Sequence, residues 1–228
     1  ETWQYATTGY PWFAVQEIHT LNRDFAEVLT SEGEILYTSD GGATWTKRID
    51  SLGGAPFLSL AGAAEFLAVS SDGRVFYYSD HVNGWEQHGS IQPASGNIGA
   101  AKLFFNFNGT NPVHLAATDL GLFRSTDWGS TWNPVLVEGL TRWLVEIAGW
   151  GSTIYAATAN ALYASSDDGA TWTTVSAGFR APRLLAFNDD GDFYLMDEDS
   201  LRFLPRPAIG GGWQTFSAPP FTDVNFLR

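Results

Sequence analysis

Cysteine is absent from the 228-residue chain, lysine is scarce and no long apolar run occurs. Without cysteine, the chain cannot form disulfides, thiolate zinc sites or a cysteine nucleophile. Two lysines, Lys47 and Lys102, and ten arginines face 25 acidic residues, which gives a formal net charge of −13. This balance disfavours nucleic acid and anionic lipid as partners, because both draw their affinity from cations. No stretch reaches about 18 consecutive apolar residues, so no membrane insertion is predicted.

The first residues, Glu1-Thr2-Trp3, do not begin a basic segment followed by an apolar one, as a signal peptide would. Such a chain is either cytosolic or has had its signal removed. We expect a secreted or periplasmic protein whose signal peptide is not part of this sequence. Aromatic residues make up 15% of the chain, which is enough apolar material for a large folded core.

A tryptophan recurs at intervals of about 42 residues, at Trp3, Trp45, Trp85, Trp132, Trp172 and Trp213. Each interval holds short apolar runs separated by small or polar turns. In the fourth interval these runs are 143–149, 154–159, 162–167 and 171–176. Runs of this length with turn residues between them are typical of β-strands, and no helical apolar stripe is present. A period of this length built from strands is typical of a β-propeller blade.

The sequence therefore predicts an all-β chain, a propeller of four-stranded antiparallel blades, as one domain over residues 1–228. We name the strands of each blade a to d in chain order. Five full blades are covered, with one extra strand at each end, at residues 3–7 and 221–228. These flanking strands are halves of a sixth blade, additions that close a five-bladed ring, or ends of a longer propeller; the sequence leaves the three open.

The turn between strands c and d repeats the frame [S/T]-x-D-x-G-x-T-W three times, at 38–45, 125–132 and 165–172. Blade 2 keeps the Asp and the Trp, but Val82 and Gly84 replace the glycine and the threonine, and blade 5 has no Asp in this turn. The predicted structural residues are Asp40, Gly42, Trp45, Asp80, Trp85, Asp127, Gly129, Trp132, Asp167, Gly169 and Trp172.

This frame resembles the Asp-box, or BNR, repeat of sialidases, xyloglucan-degrading glycosidases, sortilin-type receptors and photosystem assembly factors. We interpret the box as a hairpin lock. Its carboxylate accepts hydrogen bonds from its own turn, its glycine takes a positive φ, and its tryptophan packs between blades. We therefore expect the box to be structural.

Strand order places the d–a and b–c loops at the end of the molecule opposite the Asp-boxes. Ligands of propellers generally bind at that end, an expectation from analogy of fold. Its loops contain the candidate binding residues Trp12, Arg142, Trp143, Arg180 and Arg183, which suit a glycan or an acidic partner. The alternative is that the tryptophans pack between blades and the arginines cover apolar surface.

Other polar residues carry weaker hypotheses. Glu17 and Glu146 fall at corresponding places on inner strands a and are either a carboxylate pair in the channel or polar lining. The four histidines lack metal-ligand spacing, so we expect each to be hydrogen-bonded or exposed. The sequence predicts no metal site and no cofactor.

Three functions remain, and we rank a non-catalytic propeller that binds a protein or glycan first. An assembly factor for a membrane protein complex comes second, by resemblance to the photosystem assembly family. A sialidase-like or xyloglucanase-like glycosidase comes third. Glycosidases need two positioned carboxyl groups or a Tyr–Glu nucleophile. Resemblance to sialidases implies three convergent arginines with an early Arg-Ile-Pro, which this sequence lacks.

Overall fold

The structure is a computed structural model of the chain. It describes residues 14–49, 54–62, 66–79, 84–91, 97–107, 112–138, 140, 144–151, 153–177, 184–188, 190–197, 200–205 and 214–217. Within these ranges the secondary structure is β throughout, with no helix. Nothing among the described residues is therefore a helix long and apolar enough to cross a membrane.

The strands form five four-stranded antiparallel sheets, each continuous in sequence. This arrangement confirms the predicted β-propeller of five four-stranded blades. The predicted flanking strands at 3–7 and 221–228 lie outside the described residues. Blade 1 holds β1 (Val15–Thr20), β2 (Ala26–Thr30), β3 (Ile35–Thr38) and β4 (Thr46–Ile49). Blade 2 holds β5 (Phe57–Gly62), β6 (Phe66–Ser70), β7 (Arg74–Ser79) and β8 (Gly84–Ser90).

The remaining blades repeat the same order. Blade 3 holds β9 (Ala101–Phe107), β10 (Pro112–Thr118), β11 (Gly121–Ser125) and β12 (Asn133–Pro134). Blade 4 holds β13 (Leu144–Trp150), β14 (Thr153–Thr158), β15 (Ala161–Ser165) and β16 (Thr173–Ala177). Blade 5 holds β17 (Leu184–Phe187), β18 (Phe193–Met196), β19 (Ser200–Leu204) and β20 (Gln214–Ser217).

The blades are held together by apolar cores that lie between neighbours. Alternate residues of a strand point to opposite faces. The second strands of blades 2, 3 and 4 are buried on both faces, and each contributes to two cores. All five residues of β6 and all seven of β10 are buried. Between blades 1 and 2, Leu29 and Ile35 pack with Leu60, Ala68 and Phe76. The same arrangement recurs between blades 2 and 3, 3 and 4, and 4 and 5.

Blade 1 has a different environment on its other face. Ile18 corresponds in register to the buried Leu60, Leu103 and Ile147. It is nevertheless 60% exposed. Within the described part of the chain, no residue of another blade joins Ile18 in an apolar cluster. The described residues therefore leave this position of the first blade uncovered.

The Asp-box of blade 4 is a closed set of hydrogen bonds within one turn. Ser165 Oγ donates to Asp167 Oδ1 at 2.8 Å and accepts from the Gly169 N–H at 2.8 Å. The carboxylate of Asp167 also accepts from Thr171, through its backbone N–H at 2.8 Å and its hydroxyl at 2.6 Å. The Thr171 hydroxyl contributes most to lowering the pKa of Asp167, which falls to about 2. Gly169 has φ +77°, which favours glycine at this position.

The same bonds occur in blades 1 and 3, around Asp40 and Asp127. The box also contacts the preceding blade. A Cβ on Gly169 would come within 2.9 Å of Leu115, so this glycine allows close packing between blades. The Trp172 indole N–H donates to the Gly169 carbonyl at 3.0 Å.

In blade 2, which departs from the frame, the described residues include no corresponding tryptophan bond. Trp85 packs against the core between blades 1 and 2, but its buried indole N–H has no hydrogen-bond partner among the described residues. Asp80 of this turn lies outside the described residues, as does the turn of blade 5 at 206–213.

Asp167→Ala should lower the free energy of unfolding by about 1–3 kcal/mol, because it leaves the Thr171 N–H and two hydroxyls of the turn without their acceptor. Urea denaturation would measure the change, with Glu138→Ala, an exposed carboxylate outside the boxes, as the matched control. Equal stability of the two variants would contradict the interpretation of the box as a lock.

A buried ion pair lies between blades 1 and 2. The Arg48 guanidinium is enclosed by Tyr78 at 3.9 Å and Tyr37 at 4.4 Å, measured to the ring centroids. Its Nε lies 2.8 Å from Glu27 Oε1. The contact lacks hydrogen-bond geometry, and neither oxygen of Glu27 has a hydrogen-bond donor among the described residues. Burial outweighs the arginine charge and raises the pKa of Glu27 to about 7.

Glu27→Gln should change how stability depends on pH. The pKa of Glu27 is raised in the folded state. The stability that this group contributes is therefore fully present below its ordinary pKa near 4.5 and is lost as the pH rises through 7. Relative to wild type, the variant should gain about 2 kcal/mol of unfolding free energy between pH 5 and pH 8. Urea denaturation at several pH values would measure the unfolding free energy of both proteins. If the two pH profiles were parallel, Glu27 would already be ionised at pH 5 and the prediction would be wrong.

His114 contradicts the expectation that each histidine is hydrogen-bonded or exposed. It is fully buried on β10, stacked on Phe105 at 4.6 Å between ring centroids. Neither ring nitrogen has a hydrogen-bond partner among the described residues. Burial lowers the pKa of His114 to about 4, so the ring is neutral and packs as an aromatic side chain.

Candidate binding site

The loop residues predicted to bind a partner, Trp12, Arg142, Trp143, Arg180 and Arg183, lie outside the described residues. Their contribution stays a prediction. The structure does describe the inner strands to which these loops lead. Consecutive a strands β1, β5, β9, β13 and β17 contact one another and so form the centre of the propeller.

Four polar residues occupy one level of these inner strands. Each pairs with the next-to-last residue of its neighbouring b strand: Glu17 with Leu29, Ser59 with Val69, Lys102 with Ala117 and Glu146 with Ala157. The level lies one or two residues from the start of each a strand, next to the d–a loops. We call Glu17, Ser59, Lys102 and Glu146 the channel cluster.

Irregular pairing occurs beside three members of the channel cluster. The register shifts just before Glu17, Ser59 and Glu146. A bulge of this kind bends a strand and changes the direction of nearby side chains. The extra residue in β1, Gln16, donates a hydrogen bond from its side chain to the Leu58 carbonyl of blade 2 at 3.1 Å. The bulges thus help to join adjacent inner strands.

Glu17 is the most heavily bonded member of the cluster. Its Oε2 accepts the Leu60 N–H at 2.7 Å, and its Oε1 accepts Lys102 Nζ at 3.1 Å. The His19 ring nitrogen lies 3.8 Å from Oε2. Burial alone would raise the pKa of Glu17, but the contacts with His19, Lys102 and the Leu60 N–H outweigh it and lower the pKa. Glu17 is therefore a buried, stabilised carboxylate.

Ser59 connects three blades through one hydroxyl group. It donates to the Glu17 carboxylate of blade 1, with its oxygen 3.1 Å and 3.2 Å from Oε1 and Oε2. The same oxygen accepts the Leu103 N–H of blade 3 at 2.9 Å. Because Ser59 is fully buried, water cannot replace these bonds. The hydroxyl fixes the spacing of the first three inner strands.

Lys102 and Glu146 complete the cluster. Burial would lower the pKa of Lys102, but the negative charges of Glu17 and Glu146 raise it overall. Burial raises the pKa of Glu146, and the charge of Glu17 adds to this effect. Lys102 and the Ile147 N–H, which Glu146 Oε1 accepts at 3.0 Å, offset the rise only in part. The side chain of Lys102 is 36% exposed, so this part of the cluster is open to a ligand.

Comparison of the sequence with profiles of protein families identifies the family of this chain. The family described as photosynthesis system II assembly factor YCF48 matches residues 13–186. The chain belongs to this family. No curated protein matches the chain significantly in sequence.

Solved structures resemble the fold of this YCF48-family chain. "YCF48 bound to D1 peptide" is 16% identical with a TM-score of 0.66, over 90% of this chain and 67% of that one. YCF48 from Cyanidioschyzon merolae is 13% identical with a TM-score of 0.63, over 89% and 71%. An ancestral GH74 enzyme is 14% identical with a TM-score of 0.64, over 89% and 32%. At these identities the likeness shows the fold alone.

The sequence identified part of the channel cluster and missed the rest. Glu17 and Glu146 were recognised as corresponding inner-strand residues, but Ser59 and Lys102 were not. The b strands of blades 1 to 4 all end in a hydroxyl residue: Thr30, Ser70, Thr118 and Thr158. In this YCF48-family chain the a–b loops differ in length, so the spacing from that hydroxyl to each cluster residue varies and the strand register is needed to bring the four to one level.

Ser59→Ala should lower the free energy of unfolding by about 1–3 kcal/mol, because the buried Leu103 N–H loses its acceptor and Glu17 loses a donor. The matched control is Ser39→Ala, at an exposed position of the blade 1 turn. Urea denaturation of both variants would measure the difference. If Ser59→Ala were no less stable than the control, the hydroxyl would not hold the inner strands.

Proposed function

We propose that the chain is a protein-binding propeller that holds a segment of a membrane-protein subunit while its complex is assembled. It works outside the cytoplasm, and its site is the end of the propeller where the d–a loops lead into the channel cluster. The observation that carries the proposal is the cluster itself, a polar and partly open group at one level of the inner strands.

The hydrogen bonds within the cluster support binding. Glu17 and Ser59 are buried and bonded across blades, so their positions are set before a ligand arrives. A pre-organised site loses less entropy when it binds, and affinity rises accordingly. Strand order predicts the same end for the loop residues Trp12, Arg142, Trp143, Arg180 and Arg183, which would add aromatic and basic contacts there.

The family favours a protein as the ligand. Its description links the family to photosystem II assembly, and a structure with the same fold has a D1 peptide bound. We therefore combine the binding and assembly hypotheses and place protein before glycan. A segment of a photosynthetic membrane subunit is the corresponding partner for this chain.

Hydrolysis is less well supported by the cluster. A glycosidase of the usual type needs two carboxyl groups free to act on substrate. Both oxygens of Glu17 are occupied by Ser59, Lys102 and the Leu60 N–H. Among the described residues of the cluster, Glu146 is therefore the one carboxyl group left free, and a second one to act with it is missing.

A labelled D1 peptide should bind the protein saturably in a fluorescence-anisotropy titration, and a scrambled peptide of the same composition should not. Arg180→Ala combined with Arg183→Ala should weaken binding by about 1–3 kcal/mol, the range for truncated hot-spot residues. Asp127→Ala, in the Asp-box at the opposite end, should leave the affinity of the folded protein unchanged. Equal affinity for the two peptides would contradict a specific partner of this class.

A further inference from the structure

The charges of the channel cluster do not balance. Glu17 and Lys102 form a hydrogen-bonded ion pair at 3.1 Å, and each stabilises the charge of the other. Glu17 and Lys102 neutralise each other, and the carboxylate of Glu146 has no oppositely charged group of its own within the cluster. The cluster therefore has one carboxylate more than it has ammonium groups.

Glu146 is also the least satisfied member of the cluster. Its Oε1 accepts the N–H of Ile147, the next residue on the same strand. Its Oε2 receives no hydrogen bond from the described residues. Burial and the nearby Glu17 both disfavour the charge of Glu146. Lys102 and the Ile147 N–H compensate for this only in part, and a positively charged ligand group would supply the rest.

An anion would meet the opposite situation. It would approach two carboxylates, while the single ammonium group is already hydrogen-bonded to Glu17. The chain as a whole carries a formal net charge of −13, which attracts cations over longer distances. A guanidinium or ammonium group can donate to the carboxylate with charge-assisted hydrogen bonds.

We infer that Glu146, beside the Glu17–Lys102 pair, is the binding position for a cationic side chain, arginine or lysine, of the partner segment. This inference rests on the proposed function, because it assigns one contact within that binding end. The partner then presents a basic residue to the channel.

The test uses two small probes of similar shape, of which only one is charged. N-acetylarginine amide is the cation, and N-acetylcitrulline amide is its neutral counterpart of nearly the same shape. Titration of the ¹⁵N-labelled protein at low salt and pH 7.5 should show saturable shifts for the arginine probe, with a dissociation constant on the order of millimolar. The shifts should centre on the amides of Ser59, Lys102 and Glu146. The citrulline probe should bind at least about tenfold more weakly.

Variants test whether Glu146 is the residue that binds the cationic probe. Glu146→Gln should reduce affinity for the arginine probe by about tenfold, which corresponds to about 1.4 kcal/mol. Glu146→Asp keeps the charge and should keep the preference for arginine over citrulline. Glu86→Gln removes an exposed carboxylate from β8 and should have no effect. Each variant's ¹⁵N spectrum shows whether the fold is intact.

Several outcomes would overturn the inference: no binding of the arginine probe, equal binding of citrulline, or unchanged affinity in Glu146→Gln. The proposed function fails separately. Loss of specific D1 peptide binding would contradict the assembly role even if the arginine probe bound, whereas binding of the peptide without the probe would overturn the cationic contact alone.

Discussion

The b strands of blades 2, 3 and 4 pack against a neighbouring blade on both faces, so these blades depend on their neighbours. One face of β6 packs with residues of blade 1 and the other with residues of blade 3, and β10 and β14 repeat the arrangement. A single blade would leave both surfaces in water, at a cost of roughly 25 cal/mol for each Å² of apolar area. Stacking side by side buries them and brings the first strands together at the centre.

That central position explains why a few polar groups can form a site. The inner strands approach closely enough for Ser59 to bond Glu17 of the preceding blade and the Leu103 N–H of the following one. The Asp-boxes of blades 1, 3 and 4 lie at the other end, where their carboxylates accept hydrogen bonds from their own turns, and Gly129 and Gly169 pack against the preceding blade. In these blades one end is closed by local hydrogen bonds, and the inner strands at the other end carry polar residues shared between blades.

The fold could be predicted because it is encoded repeatedly. The tryptophan spacing, the turn frame and the apolar b strands each recur. A blade in which one of these signals is weak can therefore be recognised by its alignment with the other blades. The site is encoded once, by different residues in each blade. A glutamate, a serine, a lysine and a second glutamate share no pattern until the strand register aligns them, and the register depends on bulges that local sequence does not reveal. The environment of His114 was likewise mispredicted, because its burial depends on residues outside its own strand.

We propose that partners bind at the channel cluster and that the Asp-boxes hold the blades. Amide chemical-shift mapping with a bound partner peptide tests this directly, because the two sets of residues lie at opposite ends of the blades. We expect shifts concentrated at the starts of β1, β5, β9 and β13, including Glu17, Ser59, Lys102 and Glu146. Shifts confined to the turns around Asp40, Asp127 and Asp167, with the inner strands unchanged, would contradict it.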